Sequence, residues 1–246
     1  MAHEQITVHA RDGNCTTHVL TAKDGKGGPA IVFYFDAGGI RPVVIDMAQR
    51  LADAGYVVFV PDLFYRHGAY GPLVPAEVFA GDVAAILGPL MASTGNAIAA
   101  EDTASILSCA DARSDVRGSK IGVVGFCMGG GMAIAAAGSY PDRVVAAASF
   151  HAGGLATDAP DSPHLYASKL HAELFIAAAE DDEFYPPAMA DNFQSALDAA
   201  GVTYTHETYP AGHGWMKPDF PSYDRAAAER GWKEMISFFD RLLKAR

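Results

Sequence analysis

Cysteine is scarce in this chain: three in 246 residues, Cys15, Cys109 and Cys127. An odd, scattered set with no CxxC pair makes neither a disulfide framework nor a zinc ribbon, so a reducing cytoplasm is the expected compartment. Cations are also few. Lys and Arg number 18 against 29 Asp and Glu, a formal net charge of −11. Nucleic acid needs a basic face and an anionic bilayer attracts basic segments, so neither is an expected partner. No run of about 18 apolar residues is present, so no membrane span is expected. Residues 1–5 lack the basic-then-apolar pattern of a leader peptide. Repeats, low-complexity tracts and linker-like shifts are missing as well, and a single domain over 1–246 is expected.

What is present is a globular composition, with 50% hydrophobic, 19% charged and 10% aromatic residues. Near-continuous apolar runs of strand length fall at 30–35, 57–60, 121–124, 144–148 and 174–178. Such runs suit a parallel sheet covered on both faces. A further strand is expected near 203–208. Helical segments are expected near 41–54, 97–112, 128–139, 187–200 and 222–244. In the last, Trp232, Met235, Ile236, Phe239, Leu242 and Leu243 recur at intervals of three and four and make one apolar stripe. Two alternating runs, near 4–9 and 16–21, flank Arg11-Asp12-Gly13-Asn14 and predict an antiparallel hairpin at a sheet edge. The order of two strands and then repeated strand–helix units predicts an α/β fold: a mostly parallel sheet with helices on both faces. Residues 61–96, with Pro61, Pro72, Pro75 and Pro89, read as an irregular excursion over the C-terminal edge of the strands, where such folds bind ligands.

The most specific stretch is Gly125-Phe126-Cys127-Met128-Gly129-Gly130, between the strand near 121–124 and the Ala-rich helix near 132–138. Strand, Gly-x-Cys-x-Gly, helix is a nucleophile elbow with cysteine in place of serine. A side chain thrust out on so tight a turn needs glycine two residues either way. The helix that follows aims its N-terminal N–H groups at the turn, which favours a thiolate and an oxyanion. Gly-x-Gly-x-x-Gly does not follow this strand and no Gly-Lys-Ser/Thr completes a phosphate loop, so no nucleotide cofactor is expected. No metal site is expected either. Downstream, Glu180-Asp181-Asp182-Glu183-Phe184-Tyr185-Pro186 follows one strand and Ala211-Gly212-His213-Gly214-Trp215 follows the next. The order nucleophile, acid, histidine matches this elbow fold. His213 would move the thiol proton, and Asp182 or its neighbour Asp181 would hold its tautomer. Cys15 and Cys109 read as small buried hydrophobes.

On these residues the sequence resembles the dienelactone hydrolase (carboxymethylenebutenolidase) family of the α/β-hydrolase superfamily over nearly its whole length. The resemblance implies an α/β-hydrolase fold and a Cys127, Asp182 and His213 triad, the Asp-x-x-x-Pro spacing favouring Asp182. It also implies an acidic residue after the strand near 30–35 that activates the thiol. Asp36 occupies that position, one methylene shorter than the family's usual glutamate. The oxyanion hole would be the backbone N–H of Ala37 and Met128. The family holds a substrate carboxylate with an arginine four residues after the histidine; here Lys217 occupies that position, and Arg66 would add a second cation. Phe64, Tyr65, Tyr70 and Trp215 are candidates for an apolar wall, and His151 for a pocket-lining residue.

The expected activity is cleavage of a small-molecule lactone or ester, a carboxylated one included, through a thioester acyl-enzyme. Three other readings stay open. They are a carboxylesterase or thioesterase with the same three residues, a ligand-binding relative without turnover, and a redox-sensing thiol.

Overall fold

The computed structural model describes residues 2–244. The chain opens with β1 (His3–Ala10) and β2 (Gly13–Leu20), paired antiparallel from His3 opposite Leu20 to Ala10 opposite Gly13. The expected hairpin is therefore present, and β1 forms one edge of an eight-stranded sheet. Next come β3 (Ala30–Tyr34), α1 (Pro42–Asp53) and β4 (Val57–Pro61). After α2 (Pro75–Ala80), α3 (Val83–Met91) and α4 (Asn96–Asp111) the chain makes β5 (Ile121–Phe126) and α5 (Met128–Ser139). It closes with β6 (Val144–Phe150), β7 (Glu173–Ala179), α6 (Pro187–Ala200), β8 (Tyr204–Tyr209) and α7 (Arg225–Phe239).

The sheet order is β1-β2-β4-β3-β5-β6-β7-β8. β2 runs antiparallel to β4, and every pairing from β4 to β8 is parallel. Every residue of β3, β4 and β5 is buried, as strands covered on both faces require. This is the α/β-hydrolase arrangement. Phe126 at the end of β5 lies between Phe33 and Phe150, with ring centroids 4.9 and 5.4 Å away. On α7 the expected stripe buries Trp232, Met235 and Phe239. Side chains of this size each stabilise the fold by about 1.5–3 kcal/mol when fully buried. Trp215 packs so closely on this helix that a Cβ at Gly231 would lie 2.8 Å from its ring.

The segment 61–96 is more regular than its sequence suggests. Pro75 starts α2 at a position where its missing N–H costs nothing. The Asp82 side chain caps α3 by accepting from the Ala85 N–H at 3.0 Å. The sequence Val83–Met91 is apolar on all sides and contains Gly88 and Pro89, so no amphipathic period reveals it. Its only buried residue is Leu90. Among the described residues no single helix is long and apolar enough to cross a membrane.

Strand order reverses at β3: β4 lies on one side of it and β5 on the other. The loops leaving β3 and β5 therefore diverge and leave a crevice between them, the usual ligand position in an open parallel sheet. Asp36 and Ala37 follow β3, and Cys127 follows β5.

Candidate active site

Cys127 joins β5 to α5 with φ 55° and ψ −121°. That is a left-handed conformation for a residue with a Cβ, which costs about 1–3 kcal/mol and persists only where the surroundings enforce it. Two backbone hydrogen bonds do so. The Cys127 N–H donates to Phe150 O at 3.1 Å, and its own carbonyl accepts from the Gly130 N–H at 3.0 Å. The flanking glycines are steric necessities. A Cβ on Gly125 would lie 1.8 Å from Gly129 O, and one on Gly129 would lie 2.4 Å from Tyr34 O.

Two side chains from distant loops line up behind the sulfur, one in contact with it and the second in contact with the first. His213, on the loop after β8, places Nε2 3.2 Å from Cys127 Sγ. Its Nδ1 lies 2.8 Å from Asp182 Oδ2, on the loop after β7. The other Asp182 oxygen accepts from the Phe184 N–H at 2.9 Å, which fixes the carboxylate plane. Asp181 points elsewhere: it is exposed, with φ 51°. Burial disfavours a charged His213. The hydrogen bonds and charges of Asp182 and Cys127 outweigh it and push the imidazole up to about 10. The chain thus aligns a sulfur, an imidazole and a carboxylate.

Met128 is the first residue of α5, so its N–H is among those an α-helix leaves without an internal partner. Met128 and Ala37 both line a cavity of about 560 Å³ that contains Cys127 and His213. Leu73, Val78, Phe79, Val83, Leu87, Met91, Phe184 and Phe220 make up much of its remaining wall.

Asp36 is fully buried, and its carboxylate is occupied by other partners. Oδ1 accepts from the Gly38 N–H at 2.8 Å and from Arg41 Nη1 at 3.0 Å. Oδ2 accepts from Arg41 Nη2 at 3.1 Å and lies 2.9 Å from Lys217 Nζ. No hydrogen bond joins it to Cys127. Burial alone would raise this carboxyl, but Lys217 and Arg41 hold it well below the usual range. Arg41 also grips Asp219 at 2.6 and 3.2 Å. Two cations and two anions thus form a closed, neutral cluster beneath the site.

The residues expected to bind substrate lie outside the cavity wall, for identifiable reasons. Lys217 is fully buried, its ammonium held by Asp36 and placed over the Phe126 ring at 4.4 Å. Arg66 straps the β1–β2 turn to α4, through Asp12 at 2.8 Å and both Asp102 oxygens at 2.8 Å. Tyr65 donates to Asp102 Oδ1 at 3.0 Å and stacks under Arg66. Trp215 is buried and stacks on Tyr209 with centroids 4.4 Å apart. Phe64 is buried between Phe35 and Tyr70, whose hydroxyl donates to Asp62 at 2.8 Å. His151 is buried behind His213, ring centroids 5.5 Å apart. Its backbone has φ 38° and its N–H donates to Ala177 O at 2.7 Å. Burial, then the charges of His213 and Lys217, push this imidazole well below its ordinary pKa. A neutral ring there adds no repulsion to a charged His213.

Sequence reasoning missed Arg41, Phe184 and the apolar cap of α2 and α3. Arg41 precedes Pro42 with no motif to mark it. Phe184 lies in the acid loop, and its ring packs 5.0 Å from His213. The run Val83-Ala84-Ala85-Ile86-Leu87 was the available signal for the cap.

The chain is similar to known proteins over nearly its whole length. The sequence model of the Dienelactone hydrolase family matches residues 16–243. A carboxymethylenebutenolidase from Rhodococcus opacus is 28% identical over 251 residues, covering 98% of this chain and 93% of its own. A protein named usf from Aquifex pyrophilus is 24% identical over 222 residues, 88% of this chain and 90% of its own. Among solved structures, a dienelactone hydrolase-like promiscuous phosphotriesterase from metagenomic libraries superposes with a TM-score of 0.76. It is 22% identical, and the match covers 99% of this chain and 100% of that one.

Proposed function

We propose a mechanism on one premise: the chain belongs to the dienelactone hydrolase family and is an ester or lactone hydrolase. In our reading Cys127 is the nucleophile, His213 the proton carrier and Asp182 the group that orients it. The observation carrying this reading is the continuous link of Sγ to Nε2 at 3.2 Å and Nδ1 to Oδ2 at 2.8 Å.

In this scheme the thiol proton passes to His213 Nε2, 3.2 Å away, and the N-terminus of α5 begins at the sulfur's own turn. The thiolate attacks the substrate carbonyl carbon, and the carbonyl electron pair moves onto oxygen. The N–H groups of Ala37 and Met128 hold that oxyanion. The tetrahedral intermediate collapses, the C–O bond to the leaving group breaks, and His213 delivers its proton to the departing oxygen. The result is a thioester on Cys127. His213, now neutral, takes a proton from water, whose oxygen attacks the thioester. The thiolate leaves and the acid product departs. A thiolate is itself a good leaving group, so the scheme suits esters with a stabilised leaving oxygen, such as enol lactones and aryl esters. Asp36, which the resemblance casts as a thiol activator, enters this scheme only as a member of the buried charge cluster.

Kinetics on an aryl ester test the assignment. Cys127→Ala should lose on the order of a thousandfold or more in kcat/KM while keeping the wild-type circular dichroism spectrum. Asp182→Asn should lose kcat with little change in KM. Near-normal turnover by Cys127→Ala would remove the covalent route.

A further inference from the structure

We infer that this site takes uncharged esters or lactones carrying an extended apolar chain, seated between the Cys127 turn and the α2–α3 cap. The inference rests on the hydrolase reading above and narrows its substrate class. It departs from the carboxylated substrate that the sequence resemblance implies.

The cavity wall supplies the first argument. Apart from Cys127 and His213, every residue lining it is apolar or glycine. A substrate carboxylate entering it would lose water, and the imidazole on the wall, His213, is already shared between Asp182 and Cys127. Three cations near the site or expected to serve it are already committed. Arg41 and Lys217 are tied to Asp36 and Asp219, and Arg66 to Asp12 and Asp102. Freeing Arg66 would leave the buried Asp102 without its cation, and freeing Lys217 or Arg41 would remove one of the two cations that hold the buried Asp36. The net charge of −11 adds a repulsive field for anions at long range.

The second argument is unsatisfied apolar surface. Phe79, Val83, Met91 and Phe184 line the cavity yet are 47%, 38%, 45% and 55% exposed. Exposed large apolar side chains grouped around one concavity mark a place where a ligand supplies the missing cover. The patch is continuous with the reacting groups: Phe184 packs on His213, and Phe79 packs edge-on against Phe220 of the same wall.

Shape supplies the third. α3 contributes Val83, Ala84, Leu87, Gly88 and Met91, one face of a helix repeated over two turns. Eight residues of rise make that face about 12 Å long. Such a strip fits a medium-length acyl or alkyl chain lying along the helix, with its carbonyl at Cys127. Gly88 keeps the middle of the strip low, and no heavy atom lies within 4 Å of a Cβ built there.

The test is a chain-length series of p-nitrophenyl esters, acetate to octanoate, run beside a length-matched series ending in a carboxylate. Full burial of a methylene corresponds to about a threefold to fourfold gain. With the wall partly open to water, kcat/KM should rise at least about tenfold from acetate to hexanoate. A terminal carboxylate should lower it by about tenfold or more. Leu87→Arg, which adds a cation to the wall, should shift the ratio of charged to neutral ester at least about tenfold toward the charged one. A flat or falling series, or preference of the wild type for the carboxylated ester, would overturn the inference. The nucleophile assignment fails separately: Cys127→Ala would then retain turnover, and the chain-length trend could still be read. If no ester of either series turned over, calorimetry with Cys127→Ala would decide. The octanoyl anilide should bind at least about tenfold tighter than the succinyl anilide, and equal binding would contradict the inference.

Discussion

Lys217→Met separates a structural lysine from a substrate-binding one. In the wild type, Asp36, Arg41, Lys217 and Asp219 sum to zero charge, with the Lys217 and Asp36 side chains fully buried. The variant keeps the side chain's length and apolar stem but leaves the cluster at −1. Removing one partner of a buried ion pair costs about 3–5 kcal/mol, because the survivor stays desolvated. Two features soften the loss. Arg41 keeps both hydrogen bonds to Asp36, at 3.0 and 3.1 Å. The variant also relieves the burial that depresses the lysine's own pKa. The lower end, about 3 kcal/mol, is the expected cost. For a chain of this size that corresponds to a fall in Tm of about 6–12 °C. Thermal unfolding followed by circular dichroism measures it, with KM for carboxylated and neutral esters measured on the same preparation. Both KM values should change alike and little. A Tm within about 2 °C of wild type, together with a tenfold rise in KM confined to carboxylated esters, would refute the reasoning. The double variant Asp36→Asn/Lys217→Met should recover part of the loss, since the two residues share one interaction.

Gly129→Ala places a methyl group 2.4 Å from Tyr34 O and 2.5 Å from Phe35 O, both backbone atoms that cannot rotate away. The elbow should lose on the order of 3 kcal/mol or fail to form, read as insolubility or early unfolding; a fully stable variant would contradict the close approach. The His213 imidazole is raised from 6.5 to about 10 in the folded chain. Its contribution to stability is therefore complete below pH 6.5 and is lost as pH rises through 10. The Tm advantage of wild type over His213→Asn should shrink across that window, and a gap constant from pH 6 to 10 would contradict the linkage.

The elbow was legible in the sequence because its constraints are local. Gly125 and Gly129 flank Cys127 on one tight turn, and the apolar strand before it and the Ala-rich helix after it are both periodic signals. The order of Cys127, Asp182 and His213 followed from loops placed at successive strand ends. The hairpin and the α7 stripe were legible for the same reason. The fates of Lys217 and Arg66 were not. A lone cation in sequence carries no mark of which carboxylate will reach it, and Asp36 and Asp102 arrive through tertiary packing. Trp215 and Phe64 likewise read as pocket wall until their stacking partners are placed. α3 escaped because a helix apolar on every face has no period to detect.

The central claim is that Cys127 carries the acyl group during turnover. Intact-mass spectrometry after rapid quench with an activated ester, followed by peptide mapping, tests it most directly. One acyl group per chain on the peptide containing Cys127, lost on further incubation with release of acid and missing in Cys127→Ala, is the predicted result. Steady turnover with no adduct at any quench time, or an adduct on Cys15 or Cys109 instead, would contradict the account.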